Sequence, residues 1–215
     1  MQDLIKVTGI VLSSTPAGEY DRRLVLLTKE RGKVTAFAKG ARRQNSKLVA
    51  ATGLFAFGMF TLYPTRSAYT LTDAQISQYF EELRVDFEGA YYGMYFLELC
   101  DYYGRENNDE KELLKLLYQS LRALTVKSLP HKLVRVVFEM KAMVVNGEFP
   151  GMPREGVWQD STCYAVRFIE EAGIEKLYTF TVSDQVLAEL QNIADIYRKR
   201  YIDRKMKSLE MLSLM

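Results

Sequence analysis

The stretch that most constrains this chain runs from Gly32 to Lys47, Gly-Lys-Val-Thr-Ala-Phe-Ala-Lys-Gly-Ala-Arg-Arg-Gln-Asn-Ser-Lys. Its first part alternates, so that in an extended chain Val34, Ala36 and Ala38 point to one face and Lys33, Thr35, Phe37 and Lys39 to the other. Small apolar side chains on one face suit the interior of a tight sheet or barrel. The segment then leaves the strand through Gly40-Ala41-Arg42-Arg43 and reaches Lys47 without one Asp or Glu. Cations on the outer face of a strand are ordinarily just solvated. Here Lys33 and Lys39 flank the one outward ring, Phe37, the loop adds Arg42 and Arg43 with Lys47 beyond, and a polyanion with stackable bases is the partner that uses both charge and ring.

The flanking sequence supplies the rest of a small barrel. Val7 to Ser14 and Arg23 to Thr28 are short β-rich runs joined by the turn residues Thr15 to Tyr20, and Lys29-Glu30-Arg31 makes a hairpin into the central strand. Phe55 to Tyr63 and Ala68 to Ile76 give a fourth and a fifth strand. Gly9, Gly53 and Gly58 mark bulges or close backbone approaches. Five short strands fit an SH3-like barrel as well as an oligonucleotide-binding (OB) barrel, and the basic third strand and loop favour the OB type. Phe55, Phe57 and Phe60 are expected in the core, whereas Tyr63 and Tyr69 bracket a turn containing Arg66 and are candidates for exposed contact.

From about Phe80 the apolar period changes to that of helices. Phe87 to Glu98 begins a helix that ends near Gly104, and Leu113 to Leu124 continues in a second after the polar stretch Arg105 to Asp109. Pro130 to Asn146 is apolar on more than one face and is expected to be the central helix of a bundle. A Gly- and Pro-containing loop follows from Gly147 to Asp160. Further helices are expected from Thr162 to Ala172, from Ser183-Asp184 onward, and from Asp203 to the end. The expectation is an α+β chain of two domains, a five-stranded OB-type β-barrel over residues 1–79 and an α-helical bundle over 80–215.

Charge divides the same way. Residues 1–80 hold 11 Lys or Arg against 5 Asp or Glu, and residues 81–215 hold 18 against 22, so a net of +2 hides a basic first part and a mildly acidic second. A polyanion would be gripped mainly by the first part. Cys100 and Cys163 are too few for a disulfide framework or a four-ligand zinc site and read as free buried thiols of a reducing cytoplasm. No signal segment and no run of 18 apolar residues is seen, which points to a soluble intracellular chain with no membrane role.

Catalytic chemistry has no visible seat. The single histidine, His131, follows a proline at a helix start without a nucleophile or carboxylate pattern around it, which suits a surface or capping role. No phosphate loop occurs. The pairs Glu81-Glu82 and Glu170-Glu171 are expected on solvated helix faces, although carboxylates converging in space around a metal are not excluded by sequence.

Taken in order, Gly9-Ile10-Val11-Leu12 with Glu19 and Asp21, Leu26-Leu27-Thr28-Lys29-Glu30-Arg31-Gly32, and Ala38-Lys39-Gly40-Ala41-Arg42-Arg43 with Ser46 resemble the N-terminal barrel of the bacterial RecO family. Tyr178-x-Phe180 before Ser183, and Asp203 with Lys207-Ser208-Leu209, resemble its C-terminal part, so the likeness spans nearly the whole chain. The resemblance implies a DNA repair and recombination mediator of the RecFOR pathway, cytoplasmic and nucleoid-associated, without enzymatic activity or cofactor. Such a protein binds single- and double-stranded DNA and anneals complementary strands. It acts with RecR and with the C-terminal tail of the single-stranded DNA-binding protein SSB to load RecA.

Carried onto this chain, the DNA contacts would be Lys33, Lys39, Arg42, Arg43 and Lys47 with the ring of Phe37, and Arg22, Arg23 and Arg66 are further candidates. Lys132 and Arg135 are candidates beside an apolar pocket for the SSB tail. Many family members carry a four-cysteine zinc module after the long central helix. Here Pro150 to Tyr164 holds only Cys163, so no zinc is expected, and packing around Trp158 is a candidate replacement. An RNA-binding barrel, or a scaffold that docks an acidic protein, would explain the basic strand as well.

Overall fold

The computed structural model describes residues 3–212 and 214. Five strands, β1 (Ile5–Ala17), β2 (Asp21–Thr28), β3 (Gly32–Ala38), β4 (Phe57–Pro64) and β5 (Tyr69–Gln78), close into a barrel in the order β1-β2-β3-β5-β4, with β4 pairing back onto β1. All neighbours are antiparallel except β3 and β5, which run parallel through Ala36↔Tyr69 and Phe37↔Thr70. This is the five-stranded OB-type barrel. Its interior holds Val7, Val11, Leu24, Leu26, Val34 and Phe60 among others. Ala36 and Ala38, wholly buried, are the small residues that let the wall curve tightly.

Two details depart from the sequence reading. Phe55 lies outside β4, in a left-handed conformation (φ 67°) ahead of the strand. Tyr69 packs against the barrel core instead of facing solvent.

The run Leu24-Val25-Leu26-Leu27 is buried on both faces of β2, which alternation alone does not explain. Leu24 and Leu26 fill the barrel, and Leu27 is covered from outside by the backbone at Gly104. The polar stretch after the first helix is therefore part of the barrel's packing. Lys33 N donates to Arg105 O at 2.9 Å and Asn107 N to Arg31 O at 3.0 Å. Gly32 sits at φ +64°, and a Cβ there would strike Arg105 O, so this junction requires glycine twice over.

Six helices follow: α1 (Phe87–Tyr103), α2 (Lys111–Leu124), α3 (His131–Val145), α4 (Asp160–Glu171), α5 (Asp184–Tyr201) and α6 (Lys207–Leu212). The chain parts into two compact units, one of residues 1–85 with 97–114, the other of residues 86–96 with 115–215. In the second unit α3 is the central helix, buried continuously from Val136 to Met143, and it packs on α4 and α5. Its buried Lys141 donates to the carbonyls of Glu170 and Ala172 at 2.8 Å each and closes the C-terminal end of α4. Ser183 caps α5 by accepting from Val186 N.

α6 starts at Lys207, four residues later than the sequence suggests, because α5 ends at Tyr201 and residues 202–206 are irregular. In the loop after α3, Tyr197 Oη donates to Gly151 O at 2.8 Å, and Phe149 packs edge-on to the Tyr197 ring. Cys163 is half-buried and Cys100 fully buried. Burial pushes the Cys100 thiol well above its ordinary pKa. No helix among the described residues is long and apolar enough to cross a membrane.

Candidate nucleic-acid interface

The outer surface of β2 and β3 is divided by what lies over it. At the Leu27–Lys33 end it is closed by residues 101–108, and Lys33 is spent there, its Nζ donating to Asp101 O at 2.6 Å beside Asp101 Oδ1 at 3.4 Å. At the other end it is open. Directly paired residues share a face of a sheet, and the register runs Thr15↔Arg23, Arg23↔Phe37, Phe37↔Thr70 and Thr70↔Tyr63. One outward row thus crosses all five strands and carries a guanidinium and two rings. Phe37 is 37% and Tyr63 43% exposed, a cost in apolar surface that a stacking partner would recover.

The basic turn stands at the open end of this row. Alternation carries Lys39 outward one step past Phe37, and it is exposed. Gly40 turns the chain at φ +65°, and its N–H donates to Asp21 Oδ1 at 2.7 Å. Ala41 is buried, Arg42 N donates to Tyr20 O at 2.8 Å, and Arg42 Nη1 lies 3.2 Å from both Gly18 O and Glu19 O. The Arg43 guanidinium lies over the Tyr20 ring, 5.2 Å from its centroid. Three-residue turns through Arg43, Ser46 and Val49 then carry Lys47, exposed, away from the strand. Tyr20 and Asp21 are the residues bracing this turn that the sequence reading did not place at the candidate site. Tyr20 ends the β1–β2 connection and Asp21 begins β2, and only the fold brings them against the turn after β3.

The remaining candidates scatter. Arg22 has the inward parity, opposite Ala38, and its Nη1 donates to Ser14 Oγ at 3.0 Å. Arg66 is exposed in the β4–β5 turn and lines a cleft of about 260 Å³ with Lys33, Thr35, Tyr69 and Asn107. Arg23, Lys39, Arg42, Arg43, Lys47 and Arg66 form no ion pair among the described residues. Five of these six cations therefore bracket the open row or its turn without an ion pair among the described residues.

On the helical unit the two candidates differ. Lys132 is exposed on the first turn of α3. Arg135 is turned inward, its Nε donating to Glu139 Oε1 at 3.0 Å and its Nη2 to Asp195 Oδ1 at 2.9 Å. Tyr95 Oη donates to the same Glu139 oxygen at 2.6 Å. Burial disfavours the Arg135 charge, but the Glu139 carboxylate outweighs it and holds the arginine above its ordinary pKa. Such a buried pair, with hydrogen bonds on both partners, fixes α3 against α5. His131 sits between Asp86 Oδ2 at 3.3 Å, Glu88 Oε2 at 3.6 Å and the edge of Tyr92, tying the start of α3 to α1. No group of three or more His, Cys, Asp or Glu among the described residues is disposed to hold a metal ion.

Comparison with known proteins shows the family. The family described as Recombination protein O N terminal matches residues 1–80, and Recombination protein O C terminal matches residues 84–152 and 149–210. A DNA repair protein RecO of Clostridium perfringens strain 13 is 27% identical over 97% of this chain and 97% of its own length. That of Alkaliphilus metalliredigens is 35% identical over 68% of this chain and 60% of its own. That of Halalkalibacterium halodurans is 34% identical over 78% of this chain and 66% of its own.

Proposed function

This chain belongs to the RecO family of DNA repair proteins, and we propose that it binds single- and double-stranded DNA through the open face of its barrel and anneals complementary strands. The observation that carries this reading is the outward row Arg23-Phe37-Thr70-Tyr63 beside a turn whose cations form no ion pair among the described residues. Phosphates repel each other when two strands approach. A surface that neutralises them lowers that cost, and rings that stack on single bases leave the pairing edges free. No bond is made or broken, so neither a catalytic residue nor a cofactor is required, and the reading is of a mediator and not an enzyme.

The working contacts are Lys39, Arg42, Arg43 and Lys47 with Phe37, joined by Arg23 and Tyr63 across the sheet and by Arg66 at the β4–β5 turn. Lys33 and Arg22 support the barrel, with Lys33 Nζ engaged by Asp101 and Arg22 Nη1 by Ser14. Residues 1–79 act as the DNA-binding barrel and 80–215 as a helical domain without the four-cysteine module, working in the cytoplasm with RecR and the SSB tail so that RecA is loaded. Lys132 is the exposed cation of the pair considered for that tail, and Arg135 acts behind it as the α3–α5 tie.

The test is binding and annealing of fluorescent complementary oligonucleotides at low and high salt by the protein and by Lys39→Ala/Arg42→Ala/Arg43→Ala. Annealing at least tenfold slower in the variant supports the reading. Binding that survives the substitutions moves the DNA site elsewhere, and no binding by either protein leaves the turn as a docking surface for an acidic protein.

A further inference from the structure

Between the turn that joins β4 to β5 and the segment that closes the Leu27–Lys33 end of the sheet, the barrel unit holds a cleft of about 260 Å³. That lies just under the roughly 300 Å³ at which pockets for drug-sized ligands begin, so the cleft suits one flat heterocycle. We propose that it is a guanine pocket, which takes one unpaired guanine of the bound strand by its pairing edge with Glu106 as the reading carboxylate. The inference rests on the DNA-binding reading above and adds base selection to it.

Both walls of the cleft are fixed through the main chain, while the side chains they carry are uncommitted. On one wall Gly32 and Glu106 form an antiparallel bridge, with Lys33 N on Arg105 O and Asn107 N on Arg31 O. On the other, Thr65 N and Thr65 Oγ1 both donate to Ala68 O, at 2.9 and 2.7 Å, and close the turn that presents Arg66 and Ser67. The groups on either side of the first wall are engaged, since Arg105 N and Asn108 Nδ2 each donate to Glu110 Oε1 at 3.0 Å. Glu106 and Asn107 are exposed, and their side chains have no hydrogen-bond or ion-pair partner among the described residues. Lys33 also lines the cleft, but its ammonium is held by Asp101. A rigid frame thus offers a ligand one carboxylate and one amide.

A carboxylate beside a basic row repels phosphate and only accepts hydrogen bonds, so its partner on a nucleic acid is a base edge rich in donors. Guanine alone carries two donors side by side on its pairing edge, N1–H and the N2 amine, one for each oxygen of Glu106. Adenine and cytosine present one amine beside a ring acceptor, and thymine one N–H between two carbonyl oxygens. The Asn107 amide supplies the donor that guanine O6 requires. Thr35 lines the cleft and shares the outward face of β3 with Phe37, two residues and roughly 7 Å along the strand. A base stacked on Phe37 and a guanine in the cleft therefore belong to one bound strand. Guanine held by its pairing edge cannot pair with cytosine at the same time. The cleft thus selects single-stranded over duplex DNA, and pairing with the complement releases the base.

The experiment uses the full chain and labelled oligothymidylates of about 12 nucleotides, within the site size of a single barrel. Their central base is thymine, guanine, adenine, cytosine or hypoxanthine, the last being guanine without its N2 amine. Wild type is expected to bind the guanine strand at least about fivefold tighter than the other four, the low end for one bidentate base contact. Glu106→Gln is expected to bring the guanine strand down to the all-thymine affinity, which itself stays as in wild type, with an unchanged thermal unfolding curve verifying the fold. Asn107→Gly, which tolerates the left-handed backbone at φ 56°, is expected to lose part of the preference. Equal affinity for all five strands, or a guanine preference that survives Glu106→Gln, overturns the inference. The DNA-binding reading then still stands if the all-thymine strand is bound, and falls with it if no strand is bound. Displacement of the guanine strand by an equimolar amount of guanosine monophosphate makes the cleft a free-nucleotide site and likewise overturns the inference.

Discussion

At the scale of single residues, the same side-chain type has different work according to what the fold lays over it. Lys33 and Phe37 share an outward face of β3, yet the first is pinned by Asp101 and the second is open. Alternation in the sequence gives the face correctly and is silent about the cover, because residues 101–108 reach Lys33 only through the tertiary fold. Phe37→Ala is expected to weaken single-strand binding by about 1–3 kcal/mol, the usual contribution of one stacked base, with little change in stability since the ring is exposed. Phe37→Trp retains binding; equal loss in both variants, measured by anisotropy, would contradict a stacking role. Gly32 presents the converse case. Gly32→Ala combines a left-handed backbone with a collision against Arg105 O, and a loss of roughly 2–4 kcal/mol in denaturant unfolding is expected.

At the scale of elements, the strands and helices were legible where periodicity is strong, and β3, α2, α3 and α5 fall close to where the pattern puts them. What periodicity missed depends on contacts across the chain. Phe55 has a strand-like composition but sits in a left-handed conformation ahead of β4, and residues 202–206 are irregular, so that α6 begins only at Lys207. The basic turn after β3 was legible as a charge cluster, but its anchor on Asp21 and Tyr20 was not.

That anchor predicts that Asp21→Ala, which leaves Gly40 N without its acceptor, slows annealing several-fold while every cation remains; an unchanged rate would mean that the turn needs no fixing. In the helical elements, burial raises the phenol pKa of Tyr95 and of Tyr178, whose hydroxyl bonds to Ser120. A folded pKa above the unfolded value of about 10 gives stability that is complete below pH 10 and lost as pH rises past it. The urea midpoint is expected to fall between about pH 9 and about pH 11, and Tyr178→Phe, which cannot ionise, to fall less steeply while starting lower by about 1 kcal/mol.

At the scale of the whole molecule, the charge division visible in the sequence is also a difference in how the cations are partnered. Among the described residues, the basic first part gathers Arg23, Lys39, Arg42, Arg43, Lys47 and Arg66 without ion pairs, whereas the acidic second part spends Arg135 and Arg198 on its own carboxylates. Charge that a fold does not consume is charge available to a ligand, and its signature is thermodynamic. Each phosphate neutralised on a single strand contributes about −0.7 to the slope of log K against log salt. Six contacts on the barrel imply a slope near −4, or a loss of roughly 300-fold between 50 and 200 mM salt. Lys39→Ala/Arg42→Ala/Arg43→Ala removes half of them and should flatten the slope by about 2, whereas Phe37→Ala should lower affinity at every salt concentration with the slope intact. Titrations of both variants against salt separate the electrostatic from the stacking contribution. A slope unchanged by the triple substitution would mean that those three cations meet no phosphate, whatever their effect on affinity.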